Sequence, residues 1–481
     1  MADGKKVLKA GIGYTIGNYF LKGLNFLTIP IFSRVLSTSD YGIYNTFAAY
    51  ENIFFVLIGL AIHSSYKNAR YKYGLVEEGG IKGKDYYAYV SSTMLFLIIS
   101  ACLWLVLGNV FSVPVGELLG LDRFAINLLI LFSFSNAVLL CFNTDVGLEY
   151  KYDSFLKVSG MNAIGNIVLS LILICFVFTE QRYMGRIVGS TIPIFLIAIY
   201  IVVYFWKRRP ASNSRAFLKW GIRYSLPIVP HGLSQVVLTQ FDRIMISKMV
   251  SDTASGIYSF AFNIYMIISV TTQSLDNVWS PWFYENMNAG NEKQIKSKSS
   301  MYMILMLLFS IFVLLISPEL IKLLGPKEYW DATYCVIPII VGGFFSFMYS
   351  IPVCVEYYRE KTKYIAAGTI GAAVINVVLN YIFIQMFGYV AAAYTTLFTY
   401  MLYFLFHYLL AWKIEGKTLF SNRVVIMCSV AILAVAGLAI LSMDYYLIRW
   451  AVAVVTLLIA VYYIEKNTGF VSKLFGMIRR K

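Results

Sequence analysis

Charge is the first thing this chain lacks. Only 14% of its 481 residues are Asp, Glu, Lys or Arg, while 59% are hydrophobic and the mean hydropathy is +0.69. A soluble fold cannot cover that much apolar surface with so few charges; a membrane protein is the class that fits. Histidine is scarcer still, at three, and the six cysteines lie inside apolar runs with no CxxC pair. That argues against a structural zinc site and against disulfides. Cys102, Cys141, Cys175, Cys335, Cys354 and Cys428 read as small packing residues. There is no phosphate-binding loop, no HExxH and no GxSxG. The longest stretch outside an apolar run is about 23 residues, between Ile62 and Tyr87, too short for a catalytic domain. Neither enzyme chemistry nor a metal or cofactor is expected. The first apolar run continues past thirty residues without a small-residue cleavage site, so it reads as part of the mature protein rather than a signal peptide.

What is present is a succession of long apolar runs. A hydrocarbon core about 30 Å thick takes roughly 20 apolar residues per helix. That rule predicts spans near 10–34, 42–63, 87–111, 124–147, 158–179, 185–206, 221–247, 256–278, 300–320, 332–355, 365–386, 389–411, 424–442 and 445–464. The fold class is therefore an all-α polytopic membrane protein with about 14 transmembrane helices. Fourteen spans put both termini on one side. With basic residues in the end turns of spans counted in the adjoining segments, 30 of the 40 Lys and Arg fall on that side and 8 on the other, leaving Lys22 and Arg243 inside spans. The basic surplus is thus an orientation signal that makes both termini cytoplasmic, with some attraction to anionic headgroups. It is not a nucleic-acid footprint.

The chain also repeats itself. An offset of 214 lays Ser33-Arg34-Val35-Leu36-Ser37 on Ser247-Lys248-Met249-Val250-Ser251, and Gly42-Ile43-Tyr44 on Gly256-Ile257-Tyr258. An offset of 210 lays Asn166-Ile167-Val168-Leu169 on Asn376-Val377-Val378-Leu379. Two parallel six-helix repeats follow, a transporter arrangement with the substrate path between the halves. The expected organisation is an N-lobe over 1–206 and a basic cytoplasmic linker over 207–220. A C-lobe over 221–412 comes next, then a C-terminal helical hairpin with a basic cytoplasmic tail over 413–481.

Arg223-Tyr-Ser-Leu-Pro-Ile-Val-Pro-His-Gly-Leu-Ser234 with Phe241-Asp242-Arg243, and Ser33-Arg34 through Asp40-Tyr41-Gly42-Ile-Tyr44, together carry a family resemblance. So do Lys361-Thr-Lys363, Asn376-Val-Val-Leu-Asn380 and Gly388-Tyr-Val-Ala-Ala-Ala393. Over roughly residues 10–410 the chain resembles bacterial oligosaccharide repeat-unit flippases of the multidrug/oligosaccharidyl-lipid/polysaccharide exporter superfamily. The resemblance implies a flippase that moves a polyprenyl-pyrophosphate-linked glycan across the plasma membrane, drawing on an ion gradient rather than ATP. It also implies membrane lipids and polysaccharide polymerase machinery as partners, and a cationic cavity in place of a fixed catalytic triad. The alternatives are a drug or cation antiporter of the same superfamily and a membrane enzyme of glycan assembly.

The residues themselves offer candidates. Tyr14, Asn18, Lys22 and Asn25 share one face of the first span. Lys22 falls near mid-depth, where a charge costs at least ~2.5–3.5 kcal/mol and cannot snorkel to water. It reads as a phosphate contact, or as a structural partner of Glu51. In the seventh span His231, Gln235, Thr239 and Arg243 recur at every fourth position, with Asp242 beside that face. Arg243 is either a second phosphate clamp or an interfacial anchor, as Arg34 and Lys248 are read. Glu51, Asp276 and Asp242 are candidates for ion coupling, while Asp145 and Glu149 are placed at the cytoplasmic mouth. His63 and His407 are read as solvated or packing residues, and His231, beside Pro230, as helix packing or a switch. Ser159, Asn162, Asn166 and Ser170 in one span, with Asn376 and Asn380 in another, serve as interhelical hydrogen-bond glue or as sugar contacts. Pro227 and Pro230 should bend the seventh span.

Overall fold

A computed structural model of the chain describes residues 4–74, 82–212 and 214–469. The side chains of Tyr14, Asn18 and Asn25, residues 75–81 and the basic tail beyond Gly469 lie outside the described residues. Within them the fold is all-helical, with no strand. In chain order the helices are α1 (Gly4–Val35), α2 (Thr38–Gly59), α3 (Tyr66–Lys72), α4 (Lys82–Val110), α5 (Ser112–Leu119), α6 (Arg123–Leu148), α7 (Tyr152–Phe176), α8 (Arg182–Arg208) and α9 (Ser214–Ser225). There follow α10 (Val229–Met249), α11 (Asp252–Asn288), α12 (Glu292–Leu324), α13 (Thr333–Tyr358), α14 (Thr362–Phe387), α15 (Ala391–Glu415), α16 (Asn422–Leu441) and α17 (Tyr446–Thr468).

Eleven helical segments among the described residues are long and apolar enough to cross a bilayer. They become twelve if α2 and the segment Ile62–Lys72, bent by 49° from it, make one broken span. A helix covers each predicted run, but α1 and α10, over the first and seventh, are not among those twelve. The reason is chemical. In α10, Gln235, Gln240, Asp242, Arg243 and Lys248 lower the apolarity of a 21-residue helix. The two helices that hold the predicted polar stripes are also the ones least suited to lipid.

Local chemistry explains the helix ends. Ser37 caps α2 in a reciprocal box with Asp40 (Ser37 Oγ accepts from Asp40 N at 3.0 Å), and Ser251 caps α11 through Ala254 N at 3.1 Å. These two caps sit at the same place in the 214-residue repeat. The seventh span is interrupted: α9 ends at Ser225, a 3-10 turn carries Pro227, and α10 starts at Val229. Phe217, Gly221 and Ser225 on one face of α9 are buried, while Arg215, Lys219 and Arg223 on the other are exposed. Of the expected linker over 207–220, Lys207 and Arg208 thus close α8, and most of the remainder belongs to an amphipathic helix.

By contact the chain forms two compact units, Met1–Ser247 and Lys248–Lys481. In the first, Tyr66, Tyr86, Tyr89, Ile130, Val138 and Phe205 form part of a fully buried core. In the second, α13 is central and is buried along most of its length. Hydrocarbon gives no hydrophobic incentive for apolar helices to associate, so close packing and interhelical hydrogen bonds must do it. Gly185 and Gly189 of α8 meet that need. A Cβ on Gly189 would collide with the backbone and side chain of Ser170, and one on Gly185 would lie 3.0 Å from Ile174 N.

Candidate functional site

In the first unit, polar side chains collect along α1, α2, α6, α7 and α8. Lys22 of α1 is partly buried. Glu51 of α2 is 8% exposed and takes a hydrogen bond from Asn136 Nδ2 of α6 at 2.9 Å. The structural pair with Lys22 is therefore not what holds Glu51. Beside Glu51, Asn52 opens onto a cavity of about 290 Å³. Phe55 of α2, His63, Cys141 of α6 and Gly232 and Val236 of α10 share its wall. The cavity lies where α2 breaks. Leu60 and Ala61 both take left-handed backbone conformations (φ 43° and 51°), a costly arrangement for residues with side chains.

Arg186 escaped the sequence reading. It was assigned to the segment before the sixth span, yet it lies inside α8. Its Nη1 donates to Asn166 Oδ1 and to Ser170 Oγ (2.8 Å) of α7. Its guanidinium also stands 3.8 Å from the centre of the Phe32 ring and 4.7 Å from that of Tyr44. Among the described residues no carboxylate pairs with it. The signal was available: a glycine on either side at four-residue spacing, with the arginine immediately after the first.

In α10, Arg243 is 8% exposed and Asp242 2%. Arg243 Nη1 donates to the Thr239 carbonyl at 3.1 Å and to Gln240 Oε1. Gln235, on the same face, is partly buried and its carbonyl accepts from Thr239 Oγ1 at 2.8 Å. Arg34 and Lys248, the matched basic residues, are both exposed.

At the α6–α7 corner, Glu149 gathers Lys151, Tyr87 and Arg208 (3.2 Å), with Arg70 at 4.0 Å. Burial pushes the Glu149 carboxyl up, but Lys151, Tyr87 and Arg208 more than offset that and hold it below its ordinary value. Tyr86 donates to Asp145 at 2.8 Å.

The second unit distributes its polar groups differently. Asp276 of α11 accepts from Ser350 Oγ of α13 at 2.6 Å. Arg449 of α17, also read as lying outside a span, is 2% exposed. It grips Glu319 of α12 with Nη1 at 3.0 Å and Nη2 at 2.5 Å. Asn376 donates to Thr396 at 3.1 Å and Asn380 to Asn376 at 3.2 Å, with Thr395 donating to Asn380. These asparagines act as glue between α14 and α15. His407 is fully buried and bonded to Glu356, which fits the packing alternative rather than the solvated one. Glu356 was passed over because it lies one residue beyond the predicted span, whereas α13 runs on to Tyr358.

Comparison with known proteins adds the family. The profile described as "Polysaccharide biosynthesis protein" matches residues 7–287, more than half of the chain, and the MatE profile matches 227–382. A protein of the Lsg locus of Haemophilus influenzae is 22% identical over 388 residues, covering 77% of this chain and 90% of that one. The Haloferax volcanii protein named "Probable low-salt glycan biosynthesis flippase Agl15" is 22% identical over 395 residues, 81% of this chain and 80% of its own. Among solved structures, lipid II flippase MurJ in an inward closed conformation superposes with a TM-score of 0.67. The identity is 15%, with 95% of this chain and 99% of that one covered. An inward-facing multidrug resistance MATE transporter gives 0.66 at 14% identity, with 82% and 94% covered. At such identities these structures establish the shared fold. The chain is a multi-pass membrane protein that belongs to the polysaccharide biosynthesis protein family, in the multidrug/oligosaccharidyl-lipid/polysaccharide exporter superfamily.

Proposed function

We propose that this protein flips a polyprenyl-pyrophosphate-linked oligosaccharide repeat unit across the plasma membrane for surface polysaccharide assembly. It would do so by alternating access of two six-helix repeats, with fourteen spans, cytoplasmic termini and an ion gradient as the driving force. The observation that carries the reading is Arg186. A guanidinium inside a membrane helix, held by an amide, a hydroxyl and two rings, keeps its full charge available to an anion. Lys22 adds a second cation from α1. A lipid-linked pyrophosphate is the anion that a membrane protein of this family would meet, and the name of the Haloferax relative points the same way. Asn18, Asn25, Tyr14 and Gln235 are assigned to the sugar and phosphate groups, and Arg243 to the pyrophosphate. Glu51, Asp276 and Asp242 are assigned to ion coupling. The two helix caps offset by 214 residues support the repeat.

A cation antiporter is the second reading. The MatE match over 227–382 favours it, since that stretch contains Asp276, a carboxylate bonded to a serine rather than to a base. The two readings part at Lys22. Replacing Lys22 with Ala is expected to abolish surface glycan in a strain lacking the native gene, with membrane protein level unchanged on an immunoblot. Wild-type surface glycan in that variant would remove Lys22 from the mechanism.

A further inference from the structure

Glu356 and His407 form the most enclosed ionisable pair in the second unit. Both side chains are fully buried, and His407 Nδ1 lies 2.5 Å from Glu356 Oε1. Two acceptors cannot approach so closely without a proton between them. Their outer atoms, Glu356 Oε2 and His407 Nε2, have no hydrogen-bond partner among the described residues. Each of these orphaned atoms carries a desolvation cost.

The surroundings explain why the orphans persist. Three aromatic rings enclose the imidazole, with centroids at 4.8 Å (Tyr403), 5.0 Å (Tyr349) and 5.0 Å (Phe406). Nε2 faces the backbone of α14 at Gly368, where a Cβ would stand only 2.7 Å from it. The glycine thus lets the α14 backbone close directly over that nitrogen. The other ionisable groups nearby are Tyr349 and Tyr357 on α13 and Tyr403 on α15, whose hydroxyl is engaged with Thr369 of α14 at 2.9 Å. Arg359 and Glu415, one turn or more beyond, neutralise each other through bonds of 2.7 and 3.0 Å. No charged side chain of α11, α12, α14 or α16 bonds to the pair.

We propose that Glu356 and His407 are the proton-carrying site of this transporter, with Nε2 as the atom that gains and loses the proton. The balance is simple. With one proton shared between Nδ1 and Oε1 and another on Nε2, the pair is neutral and tolerates its apolar cage. Loss of the Nε2 proton to water leaves one uncompensated negative charge, which the enclosed state disfavours. Release therefore requires α14 to move and admit water past Gly368, so that proton movement and helix movement become one event. The assignment rests on the flippase reading, and it names a carrier distinct from Glu51, Asp276 and Asp242.

Two readouts test it separately from that reading. The first needs no glycan. The full chain, carrying His63→Gln and His231→Gln and labelled with ¹⁵N-histidine, is placed in phosphatidylethanolamine–phosphatidylglycerol nanodiscs. The His407 imidazole signals, recorded from pH 5 to 9, are expected to change with pH. Signals constant across the range would reveal a sealed structural bond and overturn the proposal. The second is surface glycan in cells. The Glu356→Gln/His407→Gln double variant, which keeps a hydrogen bond but no titratable group, is expected to lose at least tenfold of export at normal protein level. Export equal to wild type in that variant would sink the proton site while leaving the flippase reading intact. If deleting the gene leaves surface glycan unchanged, the flippase reading fails, and the imidazole response still decides whether the pair exchanges protons.

Discussion

Residues 145–190 and 355–400, 210 apart in the sequence, share local backbone features. In each, a helix ends at a tight corner with a non-glycine residue in the left-handed region, Tyr150 (φ 58°) and Glu360 (φ 55°). In each, the residue after that corner donates its amide back five positions, Lys151 to Val146 at 2.9 Å and Lys361 to Glu356 at 2.8 Å. A helix follows, and then another that packs on it through small residues at four-residue spacing: Gly185 and Gly189 in α8, Thr395 and Thr399 in α15. On this shared frame the polar chemistry differs. Where α8 sends Arg186 to Asn166 and Ser170, α15 sends Thr396 to Asn376 while Asn380 takes the neighbouring Thr395. Where the first corner buries Glu149 among bases, the second has Arg359 half-exposed on Glu415. The corner geometry is alike in the two passages, and the charge they carry differs. The first passage suits an anion, the second tight neutral packing.

Three changes would break or sharpen that contrast. The largest effect is expected from Gly189→Leu, since even a Cβ there meets the Ser170 backbone. Overpacking of this kind costs about 1–3 kcal/mol or more, and α7 and α8 should separate, seen as loss of folded protein by fluorescence-detected size exclusion. The α15 counterpart, Thr399, already carries a side chain, and Thr399→Ser should be tolerated. Next comes Arg186→Thr, which gives α8 the residue that α15 has at the matching position. Surface glycan is expected to fall at least tenfold while the melting temperature changes little, because only neutral partners are left behind. Unchanged export would mean that Arg186 is a packing residue and that the two passages do not differ in function.

The smallest effect concerns the corners. The folded-state pKa of Glu149 is depressed, so the stability it contributes is complete above its ordinary value near 4.5 and is lost as pH falls through the lower folded value. The melting temperature of the purified protein is expected to drop across that acid window, and Glu149→Gln should flatten the drop. A profile identical in the variant and the parent would show that the bases around Glu149 do not stabilise its charged form.

Much of this passage could be read in advance. The Asn166/Asn376 register and the end of α6 lie in local residue patterns, and they agree with the structure to within a few residues. Lys22, Glu51 and Asp276 stood out because an ionisable group within an apolar run is conspicuous whatever it touches. Arg186, Glu356 and Arg449 did not, because each lies within a turn or so of a run's end, where hydropathy cannot separate a solvated charge from a buried one. The helix α13 continues past the end of its apolar run and so carries Glu356 inside, while Arg186 and Arg449 lie in the first turns of α8 and α17 and are brought inside by packing.

Sequence alone determined the membrane class and the positions of most of the long helices. Hydropathy, helical periodicity and capping act over a few neighbouring residues, and the sequence records such neighbours directly. Tertiary structure decided which polar groups meet. Arg186 finds Asn166 across 20 residues, His407 finds Glu356 across 51 and Arg449 finds Glu319 across 130. Those encounters depend on how closely particular helices approach, which in a membrane is set by small side chains and shape rather than by any pattern along the chain.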